Sequence, residues 1–212
     1  MKNARRKRRV TMIVLDIALI CMEVYALGLS LGESGGKMFR YYTQDSNLLA
    51  MIVCIICAIQ GIRHLICRRR PPAWMRRLRY ISAGCMALTL LMSGTLLVSV
   101  EPDRTFYSFM LEGKFLYLHT LCPLVVILQF FLERGEGFGE KHALLALIPT
   151  IVYGAISLIL NGCGVYSGPY PFLRVLEQPG YATAVGCIAV LAVNYTAARL
   201  LALGTALQNR LQ

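Results

Sequence analysis

Charged residues are scarce in this sequence of 212 residues. Only 16% are Asp, Glu, Lys or Arg, whereas an ordinary soluble domain has about 25%. Hydrophobic residues make up 57% of the chain, above the usual ~45–50%. This composition argues against a soluble globular protein and against a disordered chain, and it favours a polytopic membrane protein.

Ligand motifs are also scarce. The chain has three histidines, and no His or Cys pair at metal-ligand spacing falls on an aqueous side of the predicted helices. No glycine-rich loop ends in Lys-Ser or Lys-Thr, the ending of a phosphate-binding loop. We therefore expect no metal and no cofactor.

Basic residues outnumber acidic ones by 22 to 11, which gives a formal net charge of +11. A nucleic-acid partner would require these charges to gather on one face of a soluble fold. They fall instead between long apolar stretches, so we expect a lipid bilayer around the chain and no nucleic acid.

Six apolar segments are long enough to cross a bilayer core of ~30 Å, which takes ~20 residues per helix. They are Val10–Leu31, Ser46–Cys67, Tyr80–Val100, Phe115–Leu132, Ala143–Leu160 and Gly180–Leu203. Connections between them are short, and no internal repeat is visible. The sequence predicts an all-α, polytopic membrane protein with six transmembrane helices that form a single domain over residues 1–212.

The basic residues divide unequally between the two sides of the predicted bundle. Of the 22, 17 lie on the side of both termini and 5 on the other. The positive-inside rule therefore predicts that both termini are cytoplasmic.

Two carboxyl groups interrupt the first apolar segment. Asp16 and Glu23 are seven residues apart, so they share one helix face and must point into the bundle or a wet cavity. Hydrogen bonds to Ser, Thr, Asn or Tyr of other helices would explain them, and so would an ion or proton path.

Cysteine patterns predict no disulfide framework among the eight cysteines, because six lie in predicted helices away from the outer loops. A bridge between Cys122, near the outer end of helix four, and Cys163, in an outer loop, remains open.

The outer side carries the residues with nucleophilic chemistry. Asp45 or Ser46 is a good N-cap for the second helix, whose first N–H groups can hold an oxyanion. Thr43 would then lie just before the helix. A threonine nucleophile needs a nearby base, and the only histidine predicted on this side is His119. A tyrosine-rich interface belt with a capped helix would explain the same segment without chemistry.

A third outer segment runs from Gly162 to Leu173 and is rich in glycine, proline and aromatic residues. It is either a short ordered turn or a lid over a crevice between helices two and four.

Together the outer motifs resemble the androgen-induced gene one and ADTRP family of membrane hydrolases, including its small bacterial members. The match lies in three tracts: Tyr42-Thr43 with Asn47-Leu48-Leu49, His119-Thr120 followed by Pro123, and Tyr170-Pro171-Phe172-Leu173. The resemblance implies a threonine hydrolase of lipid esters, notably fatty acid esters of hydroxy fatty acids, with Thr43 as nucleophile and His119 as base. It also implies a bacterial plasma membrane. The Gln44-Asp45-Ser46 stretch is more polar than in the animal members.

The sequence therefore predicts a membrane-embedded lipid ester hydrolase whose substrate is a lipid or fatty acyl ester. In it, N–H groups at the start of helix two, with the Asn47 amide, support the oxyanion, and Asp45 orients the His119 imidazole. The alternative is a non-enzymatic small transporter or lipid-binding scaffold, in which Asp16 and Glu23 are the functional groups.

Overall fold

The computed structural model describes residues 2–67, 72–97, 105–133, 135 and 137–210. All regular structure in these ranges is helical, which confirms the predicted all-α class. The helices are α1 (Lys2–Ser34), α2 (Tyr42–Cys67), α3 (Ala73–Met92), α4 (Phe106–Met110), α5 (Gly113–Leu132), α6 (Glu140–Gly162) and α7 (Gly180–Arg210). Short 3₁₀ helices cover Gly35–Arg40 and Pro171–Leu173, and a π turn at Ser93–Leu97 extends α3.

Five of these helices, α1, α2, α5, α6 and α7, are long and apolar enough to cross a membrane. The predicted class of multi-pass membrane protein agrees with this finding. The predicted third segment, Tyr80–Val100, corresponds to α3, which is not among the five and begins earlier, at Ala73. Residues 98–100 of that segment lie outside the described residues.

Helix α3 forms the centre of the bundle, where it packs against α2, α5, α6 and α7. Small residues make this close packing possible. A Cβ placed on Gly84 would lie 3.2 Å from the Cβ of Ala146 and 3.8 Å from that of Ala198. Small residues at helix contacts let backbones approach closely, which favours helix association within a bilayer.

Both chain ends lie at the same end of the bundle, here called the inner end. Arg9 near the start of α1 contacts His64 near the end of α2, and Asn209 near the end of α7 donates to the carbonyl of Gly135, just beyond α5. At the opposite, outer end, Lys114 of α5 pairs with Glu33 of α1. This arrangement places the segments with the predicted chemistry together at the outer end.

Helix α2 begins four residues earlier than predicted, at Tyr42. The Tyr41 carbonyl accepts the N–H groups of Gln44 (3.1 Å) and Asp45 (3.4 Å), which is the backbone role of an N-cap. The prediction that Asp45 or Ser46 caps the helix was therefore wrong, and Thr43 lies in the first turn rather than before it.

All eight cysteines are free. Cys122 is fully buried in the bundle, whereas Cys163 is exposed. The bridge left open between these two residues is therefore absent.

Candidate functional site

Thr43 lies at the outer end of the bundle, where its side chain is buried but borders two cavities. The residue is 5% exposed. Its carbonyl oxygen accepts hydrogen bonds from Ser46 Oγ (3.0 Å) and Asn47 Nδ2 (2.7 Å). These bonds fix the first turn of α2 and with it the position of the Thr43 hydroxyl.

His119 lies in a π turn, Leu116–Leu121, within α5. π turns inside α-helices occur frequently at functional sites. The ring is 3% exposed and packs against the rings of Phe109 (4.6 Å between centroids) and Phe115 (5.2 Å). The apolar packing fixes the plane of the imidazole.

The hydrogen bonding of His119 defines its tautomer. Its Nδ1 lies 2.7 Å from the carbonyl oxygen of Phe109 in α4. Because a carbonyl oxygen only accepts, Nδ1 carries the hydrogen, and in the neutral ring the lone pair is then on Nε2. The adjacent Thr120 hydroxyl donates to the carbonyl of Met110 at 2.7 Å. The end of α4 therefore holds the His119 imidazole in the form that can act as a base.

Thr43 and His119 line the same cavity, of about 660 Å³. The walls come from the end of α1, the start of α2, the α4–α5 region and the segment before α7. Its polar lining residues include Ser30, Gln44 and Lys114. Thr43 and His119 therefore border one polar space at the outer end.

A second cavity, of about 250 Å³, lies on the other side of Thr43 between α3, α6 and α7. Its lining is almost wholly apolar and includes Leu88, Leu158 and Val190. Thr43 and Tyr170 border both cavities. A polar space and an apolar space thus meet at Thr43 and Tyr170.

Asn47 has a different role from the predicted one. Its amide nitrogen donates to the carbonyl of Thr43 (2.7 Å) and to that of Leu118 (3.0 Å). Both amide hydrogens are thereby used, and the residue is fully buried and does not line the cavity of His119. Asn47 is thus not placed to bind an oxyanion. It joins the chain at Thr43 to the chain next to His119.

Asp45 is also placed differently from the prediction. It lines a third cavity, beside Arg40 and Tyr153, rather than the cavity of His119. Residues two apart on a helix point in nearly opposite directions, so Asp45 cannot share the face of Thr43. The Phe109 carbonyl, which hydrogen-bonds His119 Nδ1, takes the orienting role expected of Asp45.

Tyr170, which belongs to the third outer motif but had no predicted role, lines the cavity of Thr43 and His119. It is 7% exposed and precedes the 3₁₀ helix Pro171–Leu173. Burial raises the pKa of its hydroxyl to about 12, against the lowering effect of the Thr43 hydroxyl and of the backbone groups of Tyr42 and Thr43 beside it. The Tyr170 ring packs against that of Tyr41 (6.4 Å between centroids), and Tyr170 lines both cavities together with Thr43, so it lies beside the first turn of α2.

Asp16 and Glu23 both point into the bundle, as predicted, since they are 1% and 0% exposed. Asp16 forms a two-pronged ion pair with Arg79 (2.9 and 3.2 Å) and accepts from Gln129 Nε2 (3.1 Å). The carboxyl oxygens of Glu23 have no well-aligned hydrogen-bond partner among the described residues, and the Cys122 thiol lies beside them. The arginine partner of Asp16 was not among the polar groups expected.

No family model, no curated protein and no solved structure matches this chain. The resemblance in the three outer motifs therefore depends on those residues alone.

Proposed function

We propose that this protein is a membrane-embedded hydrolase of lipid esters, with Thr43 as nucleophile and His119 as base. The observation that carries the proposal is the position of Thr43, which borders both the polar cavity that contains His119 and the apolar cavity between α3, α6 and α7. The resemblance implies fatty acid esters of hydroxy fatty acids as the substrate type.

In this proposal α3 is the sixth transmembrane helix, and both termini are cytoplasmic. The shared inner end of both termini and the excess of basic residues on that side support this topology. The site then faces the outer surface of a bacterial plasma membrane. A lipid would enter from the outer leaflet and place its acyl chain in the apolar cavity.

The first chemical step forms an acyl-enzyme. His119 Nε2 takes the hydroxyl proton of Thr43, and Thr43 Oγ1 attacks the ester carbonyl carbon. The tetrahedral intermediate collapses when His119 returns this proton to the leaving alcohol oxygen. The hydrogen bond from Nδ1 to the Phe109 carbonyl stabilises the imidazolium that exists between these two transfers.

The second step releases the acyl chain. His119 Nε2 takes a proton from water, and the resulting hydroxide attacks the acyl carbon of the Thr43 ester. The bond between Thr43 Oγ1 and the acyl carbon breaks, and the threonine oxygen recovers the proton from His119. The products are an alcohol and a fatty acid, and both side chains return to their starting states.

Stabilisation of the oxyanion falls to the Tyr170 hydroxyl and the start of α2. A donor aimed at the developing negative charge is worth several kcal/mol in a site that excludes water. The phenol lies beside Thr43 and, with a pKa of about 12, keeps its hydrogen at neutral pH. It replaces the Asn47 amide in this role.

The transporter alternative is less well supported. Asp16 is bound by Arg79 and Gln129 of two other helices, a contact that links the helices and so has a structural explanation. Glu23 is the remaining candidate of that class.

Activity-based labelling tests the proposal. A lipophilic fluorophosphonate labels a threonine whose oxygen displaces fluoride, so we expect labelling of the wild-type protein and none of Thr43→Ala or His119→Ala. Hydrolysis of a medium-chain ester should fall by about 10⁴-fold in both variants.

Matched controls separate this loss from misfolding. Thr196→Ala removes an exposed hydroxyl that donates to the carbonyl of Ala192 in its own helix, and His142→Ala removes a histidine at the inner end. Both should label normally, as should Glu23→Gln. Undiminished labelling of Thr43→Ala contradicts the proposed nucleophile, and loss of function only in Glu23→Gln supports a carrier.

A further inference from the structure

The third cavity, of about 520 Å³, is a groove between α2 and α6 that the proposed reaction does not use. Thr43 and His119 are not among its described lining residues. Val152 and Ile156 line it, are 50% and 52% exposed, and belong to a helix that can cross the membrane. Exposed apolar side chains of such a helix face lipid. The groove is therefore accessible from the bilayer.

The outer part of the groove has one cation and one anion that are not paired with each other. Arg40 and Asp45 both line it, are half-buried, and form no ion pair among the described residues. The Arg40 guanidinium lies over the ring of Tyr166, 4.7 Å from its centroid, and Tyr166 also lines the groove. The Tyr153 hydroxyl donates to the Arg40 carbonyl at 2.6 Å. Two opposite charges thus border one space without neutralising each other.

Other charges at the outer end do not share this arrangement. Lys114 pairs with Glu33, and Arg174 lies 3.7 Å from Glu177. Lys37 is exposed and lines none of the three cavities. Of the three cavities, the groove is therefore the one whose described lining combines an unpaired cation with an unpaired anion.

The deeper part of the groove is largely apolar and extends about as far as one leaflet of a bilayer. Its lining on α6 runs from Leu160 at the outer end to Pro149, which at about 1.5 Å per residue is ~16 Å along the helix axis. Half of a bilayer core of ~30 Å is ~15 Å. A small soluble zwitterion would leave this apolar length empty, whereas an acyl chain would fill it.

We propose that the groove binds a phosphatidylethanolamine-type lipid from the leaflet at the outer end, with Arg40 on the phosphate and Asp45 on the ammonium group. A guanidinium binds phosphate oxygens through parallel hydrogen bonds, and a primary ammonium group offers three N–H donors to a carboxylate. An acyl chain of the lipid then lies along α6. Phosphatidylglycerol would satisfy Arg40 but would meet repulsion from Asp45, and phosphatidylcholine has no N–H donor. The site does not involve Thr43 or His119, so it does not depend on the proposed hydrolase.

Lipid titrations of the full-length protein in detergent test the site. Native mass spectrometry measures the bound fraction of phosphatidylethanolamine, phosphatidylglycerol and phosphatidylcholine, all with the same two oleoyl chains. We expect the dissociation constant for phosphatidylethanolamine to be at least about 5-fold lower than the other two. Arg40→Gln should raise it by about 10-fold, since a charge-assisted contact is lost. Asp45→Asn should remove the preference and bind phosphatidylglycerol more tightly than the wild-type protein does, because the repelling charge is gone.

Matched controls remove an exposed charge at the same end but outside the groove. Lys37→Gln and Glu112→Gln should bind phosphatidylethanolamine within about 2-fold of the wild-type protein, because exposed charges at a distance are screened. Misfolding cannot imitate the result for Asp45→Asn, which gains affinity for one lipid. Glycerophosphoethanolamine, which has the headgroup but no acyl chain, should not compete even in large excess.

Three results would overturn the proposal. Equal binding of the three lipids, or equal losses in Arg40→Gln and Lys37→Gln, would show that the groove does not recognise the headgroup. Tighter binding of phosphatidylglycerol than of phosphatidylethanolamine by the wild-type protein would make this a site for anionic lipids, without a role for Asp45. Competition by glycerophosphoethanolamine would show that the occupant is a soluble zwitterion rather than a lipid.

Discussion

Both ends of the helix bundle bury polar side chains, but the two ends differ in whether these side chains are hydrogen-bonded to one another. At the inner end, the side chains of Asp16, Arg79 and Gln129 bind one another across three helices. At the outer end, Ser30 and Gln44 line a cavity and each has a buried oxygen atom without a hydrogen-bond partner among the described residues. Pairing lowers the cost of burial, whereas unpaired atoms retain binding capacity for another molecule. The inner network therefore links the helices, and the outer end contains the proposed site.

Breaking the inner pairing should give the largest effect on stability. Arg79→Met leaves Asp16 and Glu133 without their cation, because the guanidinium contacts both carboxylates at 2.9 Å. Removal of one partner of a buried ion pair typically costs ~3–5 kcal/mol. Equilibrium unfolding in detergent measures the change, and Arg77→Met, at an exposed position, is the control. Equal destabilisation by both substitutions would contradict the structural role of the inner network.

Removal of the Tyr170 hydroxyl should affect the outer end without loosening the inner one. We expect Tyr170→Phe to lower kcat by about 100-fold with little change in KM, because loss of one oxyanion donor has this size. The apolar ring contact with Phe172, 5.6 Å between centroids, is preserved by phenylalanine. Tyr166→Phe, in the same loop, serves as the control. An unchanged kcat would exclude Tyr170 from the reaction.

Asn47 and Gln129 allow the two ends to be compared directly. Both are buried residues whose side-chain amides form hydrogen bonds to another helix, but only Asn47 lies beside the proposed nucleophile and base. Asn47→Leu and Gln129→Leu should each cost ~1–3 kcal/mol of stability, since each leaves buried acceptors unpaired. Only Asn47→Leu should also lower kcat, by about 10-fold, because its amide joins the chain at Thr43 to Leu118. Steady-state kinetics beside thermal unfolding separates the two effects. A similar kcat in the two variants would leave Asn47 a purely structural role.

Much of the architecture could be predicted from the sequence because lipid imposes a simple rule on length and polarity. Apolar runs of about 20 residues predicted helices that the structure contains. The position of His119 at the same end as Thr43 could be predicted by elimination, since the chain has three histidines and the other two lie near basic inner segments. Such arguments need no knowledge of which helices touch.

Contacts between segments that are far apart in the chain could not be predicted from the sequence. Arg79 was counted among the charges of the membrane surface, yet it lies 63 residues from its partner Asp16 and is 2% exposed. The position of Tyr170 beside Thr43 likewise depends on how α6 and α7 pack. Asn47 was the case with a usable signal, because a residue four positions after Thr43 lies over the same helix face and can reach its carbonyl.

The π turn at Leu116–Leu121 has a consequence for how this protein can change. Such a turn contains one residue more than the α-helix around it, and each residue of an α-helix turns the chain by about 100°. Deletion of a single residue there would restore a regular helix and swing His119 away from Thr43, while the lipid-facing surface of Cys122–Leu132 stayed as it was. The direction of the His119 imidazole thus depends on the number of residues in the π turn. Loss of one codon would turn the ring away from Thr43 and leave the helix that follows unchanged.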